Sequence, residues 1–126
     1  MSRHVTSFNT FDPPALLAKF GGDEEFVRSL LGVTLRSSGT LATELRNACA
    51  SADFAALATL AHKVKGTAGD IVAKTLQSQA REAELAARAS DPGAIGLGLE
   101  LADTVDEFLA EVRSAIGRPN GPREAR

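Results

Sequence analysis

Apolar side chains recur along this chain at intervals of three and four residues, in four stretches separated by short clusters of Gly, Ser, Asp and Pro. The first begins after Asp23, a side chain suited to an N-cap, and carries Phe26, Val27, Leu30, Leu31, Leu35, Leu41, Leu45 and Cys49; Ser37-Ser38-Gly39 weakens its middle. Asp53 caps the second, with Leu57, Leu60, Ala61, Val64, Ala68 and Ile71. The third runs from Val72 through Leu76, Ala80, Ala83 and Ala87, small residues that let a neighbouring helix approach closely. Asp91-Pro92 offers a cap and a first-turn proline for the fourth, which holds Leu97, Leu101, Val105, Phe108, Leu109, Val112 and Ile116. Long helices joined by short turns predict an all-α fold, an antiparallel up-and-down four-helix bundle. Ahead of it, Asp12-Pro-Pro opens a short extra N-terminal helix through Leu16, Leu17 and Phe20 that caps one end. No linker or repeat divides the chain, so residues 1–126 read as a single domain, ordered over about 9–117, with mobile ends.

Composition narrows the function. Ala and Leu dominate the apolar residues and Trp and Tyr are absent, which is helical usage. With 14 Lys+Arg against 16 Asp+Glu the chain lacks the positive excess that nucleic-acid binding draws on. Its uncharged runs are short and interrupted by Gly, which argues against a membrane span and a signal peptide. The lone Cys49 forms no internal disulfide and suits a reducing, cytoplasmic setting. Two His and one Cys are too few for a zinc site, and Gly96-Leu-Gly98 lacks the third glycine and preceding strand of a dinucleotide fingerprint. Neither a metal nor a cofactor is expected, and a hydrolase is disfavoured.

The informative segment is Ala61-His-Lys-Val-Lys-Gly-Thr-Ala-Gly69 in the second helix. At about 100° per residue His62 lies roughly 160° or more from Val64 and Ile71, so its imidazole points away from the apolar stripe. Lys65, Gly66 and Gly69 share its face, and Ala58 precedes it by one turn. Gly inside a helix costs about 0.8–1.0 kcal/mol relative to Ala, so Gly66 serves something other than the helix. Either a neighbouring helix packs there, or another molecule comes down flat to reach His62. Gly69 fits that approach or a helix end near Asp70 equally well. Lys63 and Lys65 make this face locally positive on an acidic protein, which suits a phosphoryl group or an acidic pocket. As a solvated side chain, Lys65 is expected to contribute little to stability. Glu84 and Arg88 are one turn apart in the third helix, the spacing of a modest surface ion pair.

The run His62-Lys-Val-Lys65-Gly66-Thr-Ala-Gly69-Asp-Ile resembles the histidine-containing phosphotransfer family of two-component phosphorelays. Before it stands Asp53-x-x-x-Leu57-x-x-Leu60-Ala61, and after it Leu76 and Ala83-Glu84-Leu-Ala-Ala-Arg88. The similarity extends from about Phe11 to Ile116. The resemblance implies that His62 accepts a phosphoryl group from a receiver-domain aspartyl phosphate and passes it to another receiver. Lys65 would steady that group, Glu84 would hold the imidazole through its other nitrogen, and Arg88 would lie beside the phosphate. Ala58, Lys63, Gly66 and Gly69 would meet the partner. Val72 departs from the family, where Gly is frequent, and is expected to alter the turn between the second and third helices.

Phosphoryl transfer needs in-line positioning and neutralised oxygens, normally with a metal, and no acids cluster around His62 in the sequence to hold one. The resemblance puts the metal and catalytic groups on the receiver, making this chain a phosphocarrier rather than an enzyme. Its expected partners are response-regulator receivers or a hybrid sensor kinase, with the chain free-standing in the cytoplasm or forming the cytoplasmic end of such a kinase. The competing reading is a helical protein-interaction module without phosphotransfer, which would carry no acid-labile, base-stable label.

Overall fold

The computed structural model describes residues 8–117, and the ends expected to be mobile lie almost wholly outside that range. The described residues form six helices: α1 (Pro13–Lys19), α2 (Glu24–Ser38), α3 (Leu41–Ala50), α4 (Phe54–Ile71), α5 (Lys74–Arg88) and α6 (Gly93–Gly117). Helices α3, α4, α5 and α6 form the bundle, each packed on the next and α6 closing the ring against α3. Helix α2 also lies on α6, and α1 rests on α2. The first predicted helix is therefore two. It breaks at Gly39 and Thr40, where Thr40 leaves helical geometry at ψ 0°. The two pieces together contain as many residues as α6 and share it as their packing surface.

The caps follow the sequence. Asp12, Asp23 and Asp53 accept from the backbone N–H of Ala15, Phe26 and Ala56 at 3.0–3.1 Å, each satisfying a donor that the helix start leaves free. Asp91 accepts from Gly93 N–H at 2.9 Å, and Pro92 stands just ahead of the first helical residue. The predicted stripes form one core around Phe108, Leu31, Leu45, Leu57, Ile71, Leu76 and Leu101. Phe26 is the exception: it is 47% exposed and packs its ring on Phe20 instead. A carboxylate supports the N-terminal segment from below. Buried Glu111 on α6 accepts from Asn9 N–H, Thr10 N–H and the Thr10 hydroxyl at 2.8–3.0 Å, while Phe11 packs edge-on against Phe108.

Val72 closes α4 and leads into the turn before α5. It adopts the left-handed conformation (φ 60°, ψ 42°) that glycine ordinarily supplies. Its N–H donates to Gly69 O and that of Ala73 to Ala68 O, the second at 2.8 Å, and the half-buried Val72 side chain packs against the core. These contacts offset the cost of left-handed backbone at a β-branched residue. Helices α3 and α5 close the same way on Ala52 (φ 51°) and Ser90 (φ 53°). Ala52 is exposed, so Ala52→Gly relieves backbone strain without removing a packed side chain. After glycine's larger unfolded-state entropy is deducted, a gain of roughly 0.5–1 kcal/mol is expected, read as a rise of a few degrees in melting temperature.

Candidate functional site

Helix α4 carries His62 on its solvent side, with the side chain 64% exposed. Opposite it, α5 presents Glu84 from a position inside the bundle, its side chain only 7% exposed. The two meet through His62 Nδ1 and Glu84 Oε2 at 3.0 Å. The same carboxylate receives Lys65 Nζ on Oε1 at 2.8 Å, and on Oε2 both Arg88 Nη2 at 2.6 Å and Arg88 Nε at 3.0 Å. One buried carboxylate thus gathers three basic side chains from two helices. Sequence spacing placed Glu84 and Arg88 in a surface pair; the packing of α5 on α4 instead buries Glu84 beneath His62.

This clamp fixes the state of its members. The Lys65 ammonium, then Arg88 and His62, outweigh the penalty of burial and lower Glu84 from 4.5 to about 2. An ionised carboxylate only accepts, so the proton between it and His62 must sit on Nδ1. In the neutral ring the lone pair is then on Nε2, on the exposed side. Two cations against one carboxylate leave a positive charge in excess at the clamp.

Because the folded-state value lies below the ordinary one, the clamp stabilises the fold above about pH 4.5, and this contribution disappears as pH falls towards 2. Melting temperature should therefore drop more steeply between about pH 5 and 2 in the parent than in Glu84→Gln. Equal slopes would show that the carboxylate is not held ionised. Lys65 is likewise not the solvated side chain expected from the sequence: it is 32% exposed and engaged with Glu84, so removing it also costs stability.

The glycines differ from one another. A Cβ built on Gly66 meets nothing within 4 Å, so packing within the chain does not account for that glycine. At Gly69 a Cβ would stand 2.8 Å from Gln77 Nε2, because the Gln77 side chain lies across it. Gly69 also lies in the last turn of α4, which ends at Ile71, and its carbonyl accepts from the N–H of the closing Val72. Lys63 is exposed. Ala58 departs from the expected exposed face and is only 4% exposed. Four residues turn a helix about 40° past a full circle, which carries position 58 towards buried Ala61 and position 66 the opposite way.

No group of three or more His, Cys, Asp or Glu side chains stands together among the described residues in a metal-holding arrangement. No helix among them is long and apolar enough to cross a membrane. A family model, that of the Hpt domain, matches residues 29–115, more than two thirds of the chain. The chain belongs to the Hpt domain family. Hpt domains are helical bundles and act as histidine phosphotransfer carriers in two-component phosphorelays, where they interact with receiver domains and kinases. Neither a curated protein nor a solved structure matches this Hpt domain at a significant level. The matched span holds both faces of the clamp, from His62 and Lys65 to Glu84 and Arg88.

Proposed function

We propose that this Hpt domain carries phosphate on His62, taking it from the aspartyl phosphate of one receiver domain and handing it to another. The observation that carries the reading is the exposed imidazole with Nδ1 held by buried Glu84 and Nε2 outward. In the forward step the Nε2 lone pair attacks phosphorus and the bond from phosphorus to the aspartyl oxygen breaks, releasing the receiver's carboxylate. The ring becomes cationic while keeping its Nδ1 proton, and the Glu84 carboxylate stabilises that charge. A cationic ring is also a good leaving group, so the onward step to a second receiver reverses the same chemistry. Lys65 and Arg88 neutralise charge on the phosphoryl oxygens from the clamp's edge. Lys63, Gly66 and the Gln77-covered Gly69 offer a low surface for docking, and Ala58 contributes only the floor beside it. The receiver supplies the metal and the aspartate, so the chain acts as a substrate of its partners. A hybrid sensor kinase is an equally suitable donor, and the setting is the cytoplasm.

The test is transfer from a panel of purified receiver domains, each loaded with radiolabelled acetyl phosphate. Label should appear on this chain, be lost in acid, persist in alkali, and map to His62. A chain that binds receivers yet takes no such label would be an interaction module instead.

A further inference from the structure

A groove runs beside the clamp along the junction of α4 and α5. Lys65 and Glu84 form its His62 end, and Gln77, Ser78 and Arg81 line it as far as Lys74 at the start of α5. From Lys74 to Glu84 the helix rises about 15 Å, a length that fits one edge of a protein partner rather than a small ion. Its charges are unbalanced. Lys65 and Arg88 are engaged by Glu84, and Arg46 elsewhere is neutralised by Asp103 and Asp106. Lys74 and Arg81 are exposed and have no ion-pair partner among the described residues. The one acid in the groove wall is already occupied, so the groove is cationic on a chain whose net charge is −2. Leu85, 60% exposed, adds an apolar contact at the end nearest the imidazole. The hollow on the other side of His62 is different: Phe54, Ala55, Ala58, Thr59, Ala87 and Ser90 line it, and its one cation, Arg88, is tied to Glu84.

We propose that this groove is the orientation-setting half of the docking surface and that Lys74 and Arg81 recognise an acidic rim on the receiver domain. The inference rests on the phosphotransfer reading above. Its occupant follows from charge complementarity, since a receiver that holds a metal beside its aspartate surrounds the reacting phosphate with carboxylates. With unengaged cations on one side of His62 and a hollow without them on the other, only one orientation of such a partner pairs its acids. Exposed charges of this kind act on encounter more than on chemistry, so their effect lies in the second-order rate and weakens with salt.

The experiment uses Lys74→Glu/Arg81→Glu with the receiver that transfers fastest to the parent, at about 50 and 500 mM salt. The second-order transfer constant should fall about tenfold or more at low salt and approach the parent's at high salt. Lys74→Arg/Arg81→Lys should restore the parent behaviour. Labelling by phosphoramidate, a small donor that needs no docked partner, reports whether the His62 site itself is intact. If reversal perturbs the fold, Lys74→Ala/Arg81→Ala gives the same comparison with a smaller effect. Transfer constants equal to the parent's at both salts would overturn the proposal, as would a loss independent of salt. A parent that takes no phosphate from any receiver would sink the phosphotransfer reading, and this one with it, before a variant is made.

Discussion

His62→Gln is expected to leave the fold intact and to lower receiver-to-chain labelling by at least about a thousandfold, because an amide has no lone pair able to attack phosphorus. The substitution is mild for the structure. His62 is 64% exposed, so little packing is lost, and the glutamine amide N–H can still donate to Glu84 in place of Nδ1–H. Melting temperature should stay within about 2 °C of the parent. The reading in which this chain only binds its partners makes the opposite forecast for the parent, which would show no label for His62→Gln to remove. Substantial acid-labile, alkali-stable label on the variant would place the acceptor elsewhere and end the His62 assignment. Labelling by both receiver and phosphoramidate, followed by mapping of the modified peptide, separates these outcomes.

The bundle was legible in the sequence because each helix buries one continuous stripe. Leu57, Ala61, Val64, Ala68 and Ile71 are all at or below 1% exposure, as their spacing demands. The break between α2 and α3 was harder to see. Gly39 itself keeps helical dihedrals (φ −62°, ψ −23°), and both pieces turn their apolar residues to the same partner, α6. Phe26 looked like core because it is apolar and on the edge of the stripe, yet Phe20, just after α1, gives it a neighbour at the surface. Helical arithmetic within α4 sufficed to put His62 and Gly66 on its exposed face, but not to show that Lys65 turns to Glu84. It could not reveal the burial of Glu84, since that depends on where α5 sits against α4. For the same reason nothing joined Lys74 and Arg81 to Lys65 until the two helices stood side by side. Glu111 gave even less warning, being one of several acids on α6 and distinguished only by the Asn9–Thr10 backbone folded over it.

The second large effect is expected at Gly66, where the structure opposes two demands on one position. A Cβ there meets no atom of the chain within 4 Å, so Gly66→Ala gains helix propensity with nothing to set against it, up to about 1 kcal/mol. Gly66→Gln gains propensity as well, and its side chain extends into solvent, so its melting temperature should equal or exceed the parent's. Stability alone would favour either residue. The partner sets the other demand: to bring an aspartyl phosphate in line with Nε2, the receiver must settle on the α4 face one turn beyond His62. A glutamine side chain stands in that path, and a displacement of about 1 Å from in-line geometry costs roughly a hundredfold in rate. Transfer to Gly66→Gln should fall by about that factor, and transfer to Gly66→Ala by much less, because one methyl lifts the partner far less than a methyl position extended by four further heavy atoms. Phosphoramidate labelling should survive in both variants, since a small donor reaches Nε2 without resting on position 66. Thermal unfolding and receiver-to-His62 transfer measured on the same preparations decide the matter. If Gly66→Gln unfolds at a markedly lower temperature while its folded fraction transfers at the parental rate, the glycine serves packing and the docking argument fails.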